Sequence, residues 1–246
     1  MELVKLDLVR DDVKKRIAPY LESLLKIHGD NIRSIVLYGS ATGRDFSPKS
    51  SDINLMVVFE ELDFPQLNRS LKLISGGIQK KIAAPLFLSR IHVETSKDVF
   101  PIEFLEIKEN NKLLYGQDFF KDMRIADEHI RLFCEQQIKG KLIRLRQAYL
   151  EIGLAKKGIE ALMKESLYGL MPIFRGLIRL KGQAPPVEKE LILAKLAECF
   201  VLDSSVFITI LKDKKDDEKI AGQDVAAYFE KYIAEIKKLA LVVDKI

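Results

Sequence analysis

The sequence predicts an α+β protein, with a mixed sheet and helices in the first half and an all-α helical bundle in the second. In the first half, short apolar runs of strand length alternate with segments of helical periodicity. From about residue 125 these runs stop, and apolar residues recur every three or four positions. We therefore predict two domains, residues 1–124 and residues 125–246.

The first half contains four predicted strands and two predicted helices. The first helix covers residues 10–28, and one stripe along it is apolar: Val13, Ile17, Tyr20, Leu21, Leu24 and Leu25. A second helix over residues 66–82 should be interrupted or loosened at Ser75-Gly76-Gly77, because glycine is a poor helix former. The strands are predicted at residues 34–38, 53–59, 85–88 and 101–107.

The second half contains five predicted helices separated by turn residues and charged runs. This pattern is typical of an antiparallel bundle with short loops. The helices are predicted at residues 127–152, 155–181, 187–200, 204–214 and 223–244.

Composition and charge narrow the class of protein. Of the 246 residues, 48% are hydrophobic and 31% charged, which is typical of a globular chain with a buried core. Residues 1–125 contain 19 Lys/Arg and 18 Asp/Glu, and the remainder contains 21 and 18, so no dedicated DNA-binding surface is expected. The chain has neither a signal-peptide core nor the roughly 18–20 apolar residues of a membrane span. A cytoplasmic protein is predicted.

One segment carries residues suited to phosphate and metal chemistry. It runs from the apolar stretch Val36-Leu37-Tyr38 through Gly39-Ser40 to Arg44, and Asp52 and Asn54 follow at the start of the next predicted strand. Glycine lets the backbone approach a phosphate, and a serine hydroxyl can donate to it. Residues i and i+2 of a strand face the same way, so Asp52 and Asn54 share a face. Arg44 either steers phosphate or ends a helix.

This arrangement resembles the nucleotidyltransferase superfamily typified by DNA polymerase β and the kanamycin nucleotidyltransferases. The shared pattern is an apolar strand, Gly-Ser, a spacer of about ten residues and an Asp-x-Asp or Asp-x-Glu pair, with a third acid on a later strand. The resemblance implies that Gly39, Ser40 and Arg44 bind the nucleotide. It also implies that Asp52, Asn54 and Glu103 bind Mg²⁺ or Mn²⁺, with Asp52 and Glu103 catalytic. Glu106 is the alternative third acid.

Asn54 departs from this pattern, because the superfamily has an acid at the corresponding position. An amide oxygen can ligate Mg²⁺ but neutralises no charge. At an effective dielectric constant of 20, one pair of unit charges 4 Å apart is worth about 4 kcal/mol, so the missing carboxylate weakens a divalent cation site substantially. The sequence therefore favours nucleotide binding over catalysis.

Three hypotheses about function follow from the resemblance. The first is a Mg²⁺-dependent enzyme that transfers AMP from ATP to a hydroxyl of a small molecule, a protein or an RNA end. The second is a catalytically impaired nucleotide-binding or regulatory module, and the third is a toxin–antitoxin-like fusion. The sequence leaves open the nucleotide base, the acceptor and whether the chain forms a homo-oligomer.

A basic stretch lies on the first predicted helix of the bundle. It consists of Lys139, Lys141, Arg144 and Arg146. Such a stretch is usually a solvated helix face, and the alternative is that it binds the phosphates of a nucleotide.

Overall fold

The structure, a computed structural model, describes residues 6–43, 46–48, 51–152, 156–215 and 219–246, without the side chains of residues 156 and 157. The chain divides into two compact units, Met1–Ile125 and Ala126–Ile246. That each unit folds by itself remains a prediction.

The first unit combines strands and helices, as the sequence predicts. Three predicted strands are confirmed as β1, β2 and β3, and the first helix as α1. In chain order its elements are α1 (Asp11–His28), β1 (Ile32–Tyr38), β2 (Asn54–Phe59), α2 (Phe64–Ile78), β3 (Leu86–Ser89), α3 (Arg90–Thr95), α4 (Pro101–Glu109) and β4 (Asn111–Gly116).

Within the described residues, the four strands form one mixed sheet in the order β3-β2-β1-β4. β1 pairs antiparallel with both β2 and β4, whereas β3 runs parallel to β2. At one end of the sheet Tyr38 is in register with Asn54 on one side and with Asn111 on the other. The end of β1 and the starts of β2 and β4 therefore lie side by side.

The sheet is apolar on both faces because its central strands are almost continuous hydrophobic runs. On one face, Ile35, Leu37 and Leu55 pack in a core that includes the six-residue stripe predicted for α1. On the other face, Val36 and Met56 pack in a second core with side chains of α3 and α4. Since side chains alternate along a strand, Asn54 belongs to the same face as Met56.

The prediction of a strand over residues 101–107 is wrong, because this segment is helix α4. Pro101 occupies the first turn, where its missing N–H costs nothing. The buried residues Phe104 and Ile107 are three positions apart, which is helical spacing. Ile102 and Phe104 are two positions apart on either side of Glu103, and this spacing resembles the alternation of a strand. The fourth strand is instead β4.

Helix α2 continues through its two glycines but ends at Ile78, one residue after Gly77 and four residues before the predicted end. A Cβ on Gly77 would lie 2.7 Å from Cε2 of Tyr20, a buried residue of α1. The glycine therefore permits α1 and α2 to approach closely, and this packing offsets its poor helix propensity.

The described part of the second unit is helical and confirms the predicted bundle. Its core joins aromatic and aliphatic side chains, and Phe207 contacts both Phe174 and Tyr232 edge to face. The buried carboxylate of Asp213 is neutralised by Lys164 at 2.8 Å. Its helices are α5 (Asp127–Ile152), α6 (Lys156–Leu180), α7 (Lys189–Phe200), α8 (Ser204–Lys214) and α9 (Val225–Val243).

None of the helices in the described ranges is long and apolar enough to cross a membrane.

Candidate functional site

Gly39 follows β1 in a backbone conformation that favours glycine. Its φ is +75°, and a Cβ at this position would lie 3.4 Å from Nδ2 of Asn54. The Gly39 N–H donates to the carbonyl of Asn110, at 3.2 Å. This bond joins the end of β1 to the residue between α4 and β4. The Gly39 N–H is therefore used within the protein, and the neighbouring groups must supply any donors to a ligand.

Ser40 lies on the surface in a short turn, so its hydroxyl is accessible. The chain after β1 forms a single 3₁₀ turn, Gly39–Thr42, and not the N-terminus of a longer helix. This turn is closed by the bond from the Gly43 N–H to the Ser40 carbonyl at 3.1 Å, and the Thr42 hydroxyl donates to the Gly39 carbonyl at 2.8 Å. The turn positions Ser40 without the dipole of a long helix.

Asp52 and Asn54 lie at the start of β2, beside this turn. Asp52 is exposed, and Asn54 is half-buried against Gly39. Ile53, between them, is fully buried in the core on the α1 side of the sheet. Neighbours of a buried residue in extended backbone face the other way, so we infer that Asp52, which precedes β2, shares the opposite face with Asn54. A carboxylate and an amide thus share one face next to the Gly39–Ser40 turn.

Glu103 lies in the first turn of α4 and is exposed. Helix α4 ends at Glu109 and is followed by Asn110, whose carbonyl accepts from the Gly39 N–H. With a rise of 1.5 Å per residue, Glu103 is about 10 Å along the helix from Asn110 and Glu106 about 6 Å. Glu106 is therefore closer along the helix than Glu103 to Asn110, the residue that bonds Gly39. The strand position that suggested Glu103 does not exist.

The strands that follow β2 carry no carboxylate. β3 reads Leu-Phe-Leu-Ser and β4 reads Asn-Lys-Leu-Leu-Tyr-Gly, and both are fully described. Across the described residues, no cluster of three or more His, Cys, Asp or Glu side chains is placed to hold a metal. Arg44, the remaining predicted site residue, lies outside the described residues.

The fold is similar to that of a solved enzyme. One matching structure is spectinomycin adenyltransferase AAD(9) from Enterococcus faecialis, solved with ATP and spectinomycin. The two chains align with a TM-score of 0.56 and 15% identity over 91% of this chain and 98% of the other. The chain has the nucleotidyltransferase fold. A scan against protein-family models and a search of curated proteins gave no match.

The donors of this nucleotidyltransferase-fold site fit one divalent cation better than two. Asp52 supplies a carboxylate and Asn54 an amide oxygen, and both are oxygen ligands of the kind that Mg²⁺ accepts. Two Mg²⁺ ions carry four positive charges, which one carboxylate leaves largely unbalanced. The phosphates of a bound nucleotide can supply the remaining ligands of a single ion.

Tyr38 and Asn110 also border the site, and neither was selected as a site residue from the sequence. Tyr38 is half-buried on the face that holds Asn54, and burial raises the pKa of its hydroxyl. Its position directly before Gly39 is the only signal that could have indicated it. Asn110 contributes through its backbone carbonyl, and nothing in its side-chain type indicates that role.

Proposed function

We propose that this chain binds ATP with one divalent cation at the end of the sheet formed by β1 and β2, and that the amide of Asn54 makes nucleotidyl transfer slow. The observation that carries the proposal is the position of the Asn54 amide beside Gly39, whose Cβ, if present, would lie 3.4 Å from Nδ2, with the exposed Asp52 two residues earlier in the chain. The nucleotidyltransferase fold adds support, since the solved neighbour holds ATP.

Each residue has a defined part in this proposal. The Ser40 hydroxyl donates to a phosphate oxygen, and the absent side chain of Gly39 leaves room for that phosphate beside Asn54. Asp52 and Asn54 hold the cation, which when bound neutralises phosphate charge. Arg44 is retained as a candidate contact to the nucleotide from the sequence pattern.

The weak step in this proposal is activation of an acceptor. Transfer of AMP forms a bond from an acceptor oxygen to the α-phosphorus, breaks the bond to pyrophosphate and moves the hydroxyl proton to a base. Asn54 cannot serve as that base, and β3 and β4 provide no carboxylate. The chain therefore resembles a nucleotide-binding module more than an efficient transferase.

A second candidate is a working transferase with a small-molecule hydroxyl acceptor, as in the neighbour solved with spectinomycin. The observation that favours it is the half-buried position of Glu106 on α4, near the residue that bonds Gly39. In this version Glu106, rather than the exposed Glu103, accepts the proton of the acceptor. The two versions predict the same ATP site and differ only in turnover.

Titration calorimetry with ATP and Mg²⁺ tests the shared site. Because Asp52 is the only carboxylate in the proposed ligand set, Asp52→Ala should lower ATP affinity at least about tenfold in Mg²⁺. Ser40→Ala should lower it less, because one neutral hydrogen bond is worth about 1 kcal/mol. In EDTA Asp52→Ala should bind ATP at least as tightly as the wild type, because without the cation the Asp52 carboxylate only repels the phosphates.

Glu22→Ala is the matched control, since Glu22 is an exposed carboxylate on α1, which packs against the opposite face of the sheet. It should leave ATP affinity unchanged. If Asp52→Ala binds Mg²⁺–ATP as tightly as the wild type does, the site is not at the start of β2. Pyrophosphate release measured with candidate acceptors then distinguishes the two candidate functions, because only a working transferase releases it efficiently.

A further inference from the structure

The second unit contains a polar groove between α5 and α6. Its volume is about 180 Å³, and polar atoms make up most of its wall. Two basic side chains of α5, Lys141 and Arg144, line the groove together with the amides of Gln136 and Gln137. Gly140 on α5 and Gly169 on α6 also line it, which keeps it open at the helix contact.

Lys141 crosses the groove towards α6. Its Nζ atom lies 3.2 Å from the place that a Cβ of Gly169 would occupy. Any larger residue at position 169 would therefore push the ammonium group away. Glycine at this position leaves room for the ammonium group, and the Lys141 side chain is half-buried there.

Within the described residues neither Lys141 nor Arg144 forms an ion pair. Lys139 on the same helix differs, because its ammonium group contacts Glu135 at 2.6 Å and Asp244 at 2.7 Å. Glu135 is also bonded to Arg131 at 2.8 Å. The acid nearest to the groove on α5 is thus already neutralised.

Lys141 and Arg144 are one helical turn apart, so their charges repel each other. Like charges at this spacing cost a helix a few tenths of a kcal/mol. No acid lies three or four positions from either residue on α5. On α6, Glu165 lies one turn before Gly169, but it is exposed and makes no ion pair in the described part of the chain. The groove therefore presents uncompensated positive charge beside amide donors.

We propose that this groove in the second unit is a binding site for a phosphate group. Lys141 and Arg144 supply charge-assisted hydrogen bonds, which are stronger than neutral ones, and the Arg144 guanidinium can bind two phosphate oxygens at once. The Gln136 and Gln137 amides add neutral donors. The ligand class is a small phosphorylated anion, either inorganic phosphate or a phosphorylated metabolite.

The test is titration of the full chain with inorganic phosphate and with pyrophosphate. The double substitution Lys141→Gln/Arg144→Gln should lower the affinity for both anions at least about tenfold. Gly169→Val should lower it as well, by displacing the Lys141 ammonium. Arg146→Gln is the matched control: Arg146 is exposed on the same helix and does not line the groove, so phosphate affinity should not change.

Repeating the titration with Asp52→Ala distinguishes phosphate binding in the groove from phosphate binding at the proposed ATP site. Phosphate affinity retained in Asp52→Ala and lost in the double variant supports the groove, whatever the outcome for ATP. The proposal is overturned if phosphate does not bind, if Arg146→Gln weakens binding as much as the double variant does, or if only Asp52→Ala affects it. Helix content measured by circular dichroism confirms that each variant is folded.

Discussion

At the scale of single residues, the site depends on Gly39 and Asn54. Gly39 has a positive φ, which most side chains avoid, and the Asn54 amide nitrogen lies 3.4 Å from the place that a Cβ of Gly39 would occupy. An aspartate at position 54 would place its carboxylate against the same turn. The replacement by asparagine therefore changes charge at the centre of the proposed site without a change of shape. That substitution was visible in the sequence, but the contact with Gly39 was not.

His28 is a second residue whose environment yields a prediction. It is the last residue of α1 and is buried beside α2; its ring contacts Phe59 edge to face, and its Nε2 lies 2.8 Å from the Ser70 hydroxyl. The Ser70 hydroxyl donates to the Gln66 carbonyl, so His28 Nε2–H is the donor. Burial, and next the charge of Arg69, lower the pKa of His28 below its ordinary value of 6.5.

The lowered pKa means that folding favours neutral His28. Its contribution to stability is complete above about pH 6.5 and is lost as the pH falls through the folded-state pKa. The urea midpoint of the wild type should fall between pH 7.5 and 5.5, and His28→Gln should reduce that fall because it removes the titrating group. An identical fall in both proteins would contradict the assignment of neutral, buried His28.

At the scale of elements, the sequence predicts every helix of the bundle and three of the four strands. These elements have long or uniformly apolar patterns, which local periodicity identifies. The two errors concern short segments, in which local periodicity does not determine the conformation. Residues 101–107 read as a strand because apolar residues flank Glu103, yet Pro101 starts a helix there. β4 contains Asn111 and Lys112 at an edge of the sheet, so pairing with β1, a distant segment, decides its conformation.

The glycine pair of α2 provides a test at this scale. Gly77→Ala should destabilise the protein by about 1–3 kcal/mol, because the new Cβ overlaps the buried Tyr20 ring. Gly76→Ala has no atom within 4 Å of the added Cβ and should stabilise by up to about 1 kcal/mol through helix propensity. Urea unfolding of both variants measures the difference. Equal stabilisation by both would show that Tyr20 does not pack against Gly77.

At the scale of the whole molecule, the chain consists of two compact units. The first combines strands and helices, and the described part of the second is helical. The change of periodicity near residue 125 reveals this division because helices and strands bury apolar residues at different intervals. The proposed ATP site lies in the first unit and the proposed phosphate site in the second.

Truncation tests whether the units are independent domains. Residues 1–125 alone should retain mixed secondary structure by circular dichroism and should unfold cooperatively, since both cores of the sheet lie in this segment. Residues 126–246 alone should be strongly helical. A fragment of residues 1–125 that is unfolded in buffer would show that the first unit requires the second.

The most direct test of the account is the Mg²⁺ dependence of ATP affinity in Asn54→Asp, measured by titration calorimetry against the wild type. Asparagine and aspartate have nearly the same shape, so the contact with Gly39 is preserved while a second carboxylate is added beside Asp52. We predict that Asn54→Asp tightens Mg²⁺–ATP binding at least about tenfold, a change of about 1.4 kcal/mol, because the added charge stabilises the cation. Without Mg²⁺ the same substitution should weaken ATP binding by repelling the phosphates. An unchanged affinity for ATP, with and without Mg²⁺, would show that Asn54 does not face the nucleotide and would contradict the proposed site.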